Sequence, residues 1–512
     1  MSLLSKKIEE YIIESGETVQ SLAEMGNFNR TTLQRVKSGE RLPTRTFFKK
    51  LTRVLRLSPA EEAELETLLE IAQVGDGTYA NRKKIIELIE TISELTEYQI
   101  PFSKELHQKK PSENSRDQVQ MMQIVAGEKQ VLNLIEHSID RELFEVAEPA
   151  VKLAIPYGFQ AVYDYLFQQL MGNKKSLHLQ DVLSLCRESD DNAADPMLGA
   201  LKHLIALTLL DNVKYQSHCW VKQSEKAIPG AEISALFPYF ILTSNAVITI
   251  SRDLSQAVHY QDPAFHRLYS DSFAQMLAST QPFILESNDL FKVFDLDRNF
   301  KVEVIVEPLP CFAYYTDRAL LEAKLNKDFP YYEPLLEAVD RYYNYFRQVS
   351  RGMLNVFSLK NLRQFMEDGS LVYPEEIYHL LTPIERLTTV KQVRDDLFYD
   401  RRSLFALDDD KLFLNSAMEF IYESTDCLRL VLHYKIDGRV VYKTIELREL
   451  GIIAAFKEFF TSLPTSDYVL PTETTLTALD NLIAEYESAF ASATGSQLNF
   501  TENLVESSPS GS

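Results

Sequence analysis

Apolar residues recur at helical spacing through the first 74 positions, then in mixed helical and alternating patterns to about position 490. Leu4, Ile8, Tyr11 and Ile12 line one face of a first helix. Thr18 caps a second, over 18–25, that turns Leu22 and Ala23 inward. Gly26 sits in a turn, and Asn29 caps a third helix that Gly39 closes by its freedom to reach positive φ. Within that helix Leu33 and Val36, three apart, share one face, and Arg30, Thr31, Gln34, Arg35 and Lys37 form the outer one. Phe47, Phe48, Leu51, Val54 and Leu55 predict a fourth helix. Ser58 and Glu61 open a fifth as a capping box with Pro59 at its first position. A two-turn helix with so little apolar surface does not hold itself up, so the third must be presented by its neighbours.

A broad apolar stripe predicts a connecting helix over 80–95, and the polar, proline-containing run 107–117 reads as a linker. Beyond 118 the patterns alternate. Helices are predicted over 128–139, 159–171, 263–277, 319–325, 332–346, 359–366, 382–397, 448–463 and 474–490, and strands over 150–155, 177–186 and 301–306. Hairpins are predicted over 240–250 around Ser244-Asn245, over 404–414 around Asp408 to Asp410, and over 428–447 around Asp437-Gly438. The segments 240–251 and 404–416 echo each other, each leading towards a helix with a Phe-x-x-apolar-apolar-x-Ser pattern, which points to two similar halves. From 491 the chain is rich in Ser, Gly and Asn and reads as disordered.

The 512 residues are 45% hydrophobic and 25% charged, the profile of a globular protein of about three domains. No apolar run reaches the roughly 20 residues of a membrane helix, and the N-terminus has no signal-peptide core. Cys186, Cys219, Cys311 and Cys427 lie far apart, as reduced cysteines of a cytoplasmic protein do. Charge changes the picture most. Residues 1–60 hold eleven Lys and Arg against six Glu, a balance of +5 in a chain of −21, which leaves −26 for the remainder. A basic island on an acidic body is the footprint of a module that meets phosphate.

The run LAEMGNFNRTTLQRVKSGERLP resembles the Cro and lambda-repressor type of DNA-binding domain, called XRE-like. The resemblance rests on Leu22-Ala23, Gly26, Phe28, Leu33, Val36, Gly39 and Pro43, and covers roughly residues 4–72. Val19 and Lys37 depart from it, standing where Gln and Glu are common. It implies a helix-turn-helix whose second helix enters the major groove of duplex DNA. Arg30, Thr31, Gln34 and Arg35 are then the base readers, and Thr18, Gln20, Asn29, Lys37, Arg41 and Arg45 the phosphate contacts.

Chemistry in the body is sparse. The sequence has no GxGxxG, phosphate-binding loop, GxSxG or HExxH. His433-Tyr434-Lys435, an HxK on a predicted strand of a duplicated body, resembles the phospholipase D superfamily. Val440 stands where that family has Asp, and the first half offers only His259-Tyr260-Gln261, so the resemblance implies a non-catalytic relative. His218-Cys219 is an adjacent pair without metal-site spacing, and Asp408 to Asp410 reads as a solvated turn. The aromatic cluster Tyr331, Tyr332, Tyr342, Tyr343, Tyr345 and Phe346 reads as core, with one face able to meet a ligand.

The expectation is a multi-domain protein: an all-α helix-turn-helix head (1–74), a helical connector and linker (75–117), a large α/β (α+β) body in two halves (118–290 and 291–490) and a disordered tail (491–512). The function expected is that of a sequence-specific DNA-binding transcriptional regulator, not an enzyme, with no cofactor or metal. Its body would sense a small-molecule or peptide effector and mediate a homodimer, with no membrane contact. The alternative is an enzyme or toxin-system protein, for example with a phospholipase D-like body, whose DNA-binding head is autoregulatory.

Overall fold

The computed structural model describes residues 2–97, 122–294 and 301–505, less 157, 172–174, 187–195, 223–235, 349–351, 370, 372–375, 425–426 and 437–438. The chain divides into two compact units, Met1–Ile85 with Glu188–Leu198, and Ile86–Arg187 with Gly199–Ser512.

The first unit carries helices α1 (Leu3–Glu14), α2 (Val19–Met25), α3 (Arg30–Ser38), α4 (Arg45–Leu55) and α5 (Pro59–Val74). Each starts on a side-chain cap: Ser2, Thr18, Asn29, Thr44, and the Ser58/Glu61 capping box. Such caps satisfy backbone N–H groups that the first turn leaves open, and each is worth about 1 kcal/mol. Leu4, Ile8, Leu22, Leu33, Val36, Phe48, Leu51 and Leu65 meet in one core. Phe28 closes the α2–α3 turn by packing on Phe47, ring centroids 4.5 Å apart. Only glycine fits at position 26, since a Cβ there would meet the Phe28 ring at 2.2 Å. Gly39 ends α3 at φ 78°, a left-handed cap. Helix α6 (Asp76–Glu97) crosses the division between the units.

The second unit is a fourteen-stranded mixed sheet with helices packed on it. β1 (Met122–Ala126) and α7 (Glu128–Glu145) come first. Then β2 (Ala150–Ala154), α8 (Gln160–Leu170), β3 (Leu177–Cys186), α9 (Pro196–Thr208) and β4 (Val213–Lys222) alternate, with their strands parallel. β5 (Tyr239–Leu242), β6 (Val247–Ile250) and β7 (Gln256–Tyr260) return on the other side of β2 as an antiparallel meander, followed by α10 (Pro263–Ser279) and β8 (Gln281–Ser287). After α11 (Leu290–Val293) the scheme repeats. β9 (Val302–Glu307), α12 (Arg318–Lys324), α13 (Tyr332–Gln348), β10 (Leu354–Ser358), α14 (Leu359–Asp368), α15 (Pro383–Phe398) and β11 (Ser403–Leu407) form the parallel part. β12 (Met418–Glu423), β13 (Cys427–Ile436) and β14 (Arg439–Leu447) form the meander, and α16 (Leu450–Ser462) and α17 (Thr472–Val505) finish the chain.

The order β7-β6-β5-β2-β3-β4 recurs as β14-β13-β12-β9-β10-β11, with the same strand directions, and β8 joins the two sets antiparallel to β4 and β14. Register and packing repeat too. Phe240 lies opposite Ala154 and packs on Tyr269 and Phe273 of α10. Phe420 lies opposite Val306 and packs on Phe456 and Phe460 of α16.

An α/β body behind a helical N-terminal region is therefore present, and several finer expectations are corrected. The repeat matches β5–β6 with β12–β13, not 240–251 with 404–416. The 404–414 hairpin does not form: β11 pairs in parallel with β10, and Asp409 turns back so that its Oδ2 accepts the Lys360 N–H at 2.9 Å. The helix predicted over 474–490 runs on as α17 to Val505, past the start of the expected disordered tail; the Ser, Gly and Asn there lower helix propensity without forbidding a helix. The expected linker at 107–117 and the turn at 437–438 lie outside the described residues.

Candidate functional site

In the first unit, burial of Leu33 and Val36 fixes the rotation of α3 about its axis. Arg30, Thr31, Gln34 and Arg35 are consequently all exposed, two in each of two successive turns. The caps hold the helix ends: Asn29 Oδ1 accepts the N–H of Thr31 at 2.9 Å and of Thr32 at 3.3 Å, and Thr18 Oγ1 accepts the Ser21 N–H at 3.1 Å. Gln20 donates to Glu24 at 3.2 Å. The Arg41 N–H donates to the Arg35 carbonyl at 3.2 Å, folding the chain beyond Gly39 back along α3. Arg41 and Arg45 are both exposed. Lys37 is the exception. It is half-buried and paired with Glu9 of α1 at 3.2 Å. Position 37 lies four residues from Leu33, so its stem runs along the inner face and its charge is spent within the unit.

In the second unit, buried polar groups lie along the parallel strands of both halves. Asn355 of β10 is fully buried; its Nδ2 donates to Glu307 Oε1 at 2.6 Å and its Oδ1 accepts the Cys311 N–H at 3.2 Å. Glu307 and Glu419 are the next residues on β9 and β12 beyond the Val306–Phe420 pair, so two carboxyl groups share one place. Burial pushes both up, Glu419 to about 7 against the pull of Arg429, and the charge of Glu419 drives Glu307 higher still. The first half has a counterpart. Asp181 of β3 is fully buried, with Tyr215 Oη donating to its Oδ2 at 2.5 Å and Tyr163 Oη at 3.4 Å. Burial raises it to about 7 against those hydrogen bonds. Asp181 stands opposite Leu153 and Asn355 opposite Ile305, equivalent places in the repeat, with Pro156 and Pro308 each three residues further along. Sequence periodicity does not reveal these groups, since their partners are brought together by long-range pairing.

The two histidine tripeptides do not form a two-fold pair. His259 is on β7, the third meander strand of its half, and His433 on β13, the second of its own. Burial holds the His433 imidazole neutral, down to about 4, and its Nδ1 has no partner among the described residues. The Lys435 side chain lies outside them. His218 and Cys219 are successive residues of β4 and point to opposite faces. Among the described residues no three His, Cys, Asp or Glu side chains gather as a metal site. Tyr342, Tyr343 and Phe346 are core residues of α13, Tyr332 and Tyr345 are partly buried against the same core, and Tyr331 is exposed.

No protein-family model and no curated protein matches the sequence. Among solved structures, the chain is similar to the phosphatidylserine synthase of Haemophilus influenzae Rd KW20, at 9% identity and a TM-score of 0.22, over 74% of this chain and 94% of that one. That protein is an enzyme, not a DNA-binding regulator. The expectation of a transcriptional regulator with a sensing, dimerising body is corrected by that finding and is not carried further. At that TM-score nothing about substrate or site passes from the synthase to this chain. Among the described residues no helix is long and apolar enough to cross a membrane.

Proposed function

We propose that the chain is a protein with an enzyme-type body, a duplicated α/β sheet of phospholipase D-like architecture, and a duplex-DNA-binding head formed as a helix-turn-helix by α2 and α3. The observation that carries the head is the exposed polar face of α3: Arg30, Thr31, Gln34 and Arg35 point outward from a helix that buries only Leu33 and Val36. Arg pairs bidentately with guanine and Gln with adenine, at about 1–3 kcal/mol of discrimination each. Arg41 and Arg45, with the donors of Thr18, Gln20 and Asn29, flank that face where phosphates pass; Lys37 is withdrawn from the set by Glu9. For the body, the repeated strand order supports the architecture. With His259 and His433 unable to act as a pair, the acid–base role falls to Glu307 and Glu419, a carboxyl pair that holds a proton near neutrality.

The test of the head is fluorescence anisotropy of the full chain on a duplex spanning the region upstream of its own gene, where an autoregulatory head would act. Saturable binding that falls steeply with salt is expected; indifference to DNA between 50 and 200 mM salt would sink the proposal. The body is tested separately, by turnover of bis(p-nitrophenyl) phosphate with the wild type, E307Q and E419Q. Equal rates in all three would remove the carboxyl pair from any chemistry.

A further inference from the structure

The repeat gives each half an internal control for the other. In the first half Lys152, Gln180 and Gln216 lie side by side across β2, β3 and β4. The equivalent row in the second half is Val304, Leu354 and Ser403 across β9, β10 and β11. Each row lies one step before the row that contains Asp181 or Asn355. On the first row Gln180 donates to Gln216 at 2.7 Å, and both residues reach solvent. A polar, wetted surface is therefore what this architecture carries when nothing else is asked of it.

The second row is different. Val304, Leu354 and Phe405 floor a cleft of about 490 Å³, with Lys301, Ser403 and Thr461 around its mouth. Leu354 and Phe405 are only half-buried, so apolar surface faces water where the other half presents amides and a lysine. Exposed apolar surface gathered in a concave place marks a ligand or partner site. The charges at the mouth decide the ligand's sign. Glu303 is paired with Lys457 at 3.2 Å, so among the described residues Lys301 is the charge at the mouth left without an ion pair, a cation on a chain of −21.

We propose that this cleft binds a small amphipathic organic anion, its apolar part on Val304, Leu354 and Phe405 and its carboxylate or sulfonate at Lys301. The site does not depend on the acid–base role given to Glu307 and Glu419, which lie towards the other end of the strands.

The test uses the full chain and 8-anilinonaphthalene-1-sulfonate, followed by its fluorescence, with decanoate and decan-1-ol as competitors. One saturable site is expected, displaced at least threefold better by decanoate than by decanol. The double change V304K/L354Q, which writes the first half's residues into the second, should weaken binding at least tenfold; Val304 is 1% exposed, so a lysine there also costs stability, and a thermal melt reports whether the variant folds. K301A should abolish the preference for decanoate over decanol. If the double variant does not fold, S403Q decides: it again uses the other half's residue, at the exposed mouth, and should also weaken binding tenfold. Dye binding by the folded variants equal to the wild type, binding that does not saturate, or equal competition by the acid and the alcohol would each overturn the proposal.

Discussion

Replacing Asp181 by Asn should remove a pH dependence of stability and cost little else. Asp181 is fully buried in the middle of β3, and its carboxyl is raised from 3.8 to about 7, with burial outweighing the hydrogen bonds of Tyr215 and Tyr163. In the unfolded chain it ionises near 4, while in the fold it keeps its proton until about 7. Between those values the unfolded state binds fewer protons than the folded one, so stability falls as pH rises, by about 1.4 kcal/mol per unit. Across the window this amounts to roughly 4 kcal/mol, absent below pH 4 and complete above pH 7. Asn355 already occupies the equivalent place in the second half as an uncharged isostere. In D181N the amide oxygen can still accept from Tyr215 Oη. Urea unfolding of both proteins from pH 4.5 to 8.5 measures the difference directly, and taking the difference cancels the other carboxyl groups. D181N should gain on the wild type steadily up to about pH 7 and be the more stable protein at pH 8. A difference that does not change with pH would show that Asp181 is ionised throughout and refute the reasoning.

Four further outcomes are expected. R35A or Q34A should relax base preference at one position of a bound duplex, at about 1–3 kcal/mol, as read by anisotropy on a set of single-base variants. R41A should weaken binding to all sequences alike and lower the salt slope by about one unit, whereas K37A should leave that slope unchanged because Lys37 is engaged with Glu9. F460A deletes a ring that is 1% exposed and packed at 5.6 Å on Phe420 and 5.5 Å on Phe456, and should cost about 3–5 kcal/mol in chemical denaturation, as should F273A in the other half. E419Q removes the repulsion on Glu307, so the Glu307 carboxyl should titrate lower in carbon-13 NMR than in the wild type.

The head's helices are legible because their signals are local. Thr18, Asn29 and Ser58 stand just ahead of the helices they cap, and Gly39 just beyond the one it ends. In the body most helices and the strands β2, β3 and β9 are legible from local pattern, but which strand pairs with which is legible only where pairing is local, as in the β5–β6 and β13–β14 hairpins. Asp408 to Asp410 has turn chemistry, and sequence reads it as a hairpin. The strand before it instead pairs sideways with β10, some 49 residues earlier (Leu354 with Ser403), a partner that no local pattern announces. α9 has only a narrow polar face, Lys202 and His203, to give it a period, with Leu198, Leu201, Leu204, Ile205 and Leu207 all buried. The Glu307–Glu419 neighbourhood joins residues more than a hundred positions apart, so the sequence shows two ordinary glutamates on two strands. Lys37 is a finer case, since the inward stripe of α3 includes the fourth position after Leu33 as well as the third.

The duplication also bears on where the body acts. Both halves keep the strand order, the aromatic contact from the first meander strand to the following helix, and a buried polar residue at the Asp181 or Asn355 place. These features hold a sheet together in either half. The second half adds what the first lacks. In the matched register Ile155 and Tyr239 stand where the second half has Glu307 and Glu419, and Lys152 and Gln180 where it has Val304 and Leu354. One end of the second half's parallel strands has gained a proton-holding carboxyl pair, and the other an apolar cleft with a cationic mouth. A frame needs neither, because its other copy stands without them. The two additions lie at opposite ends of β9 and β10, so the proposed chemistry at one end and the proposed ligand capture at the other should be separable by mutation. E419Q should leave dye binding at the cleft within twofold of wild type, and V304K/L354Q should leave the titration of Glu419 unmoved. Coupled changes in both readouts would mean that β9 and β10 shift as a unit, and the two ends would then have to be treated as one site.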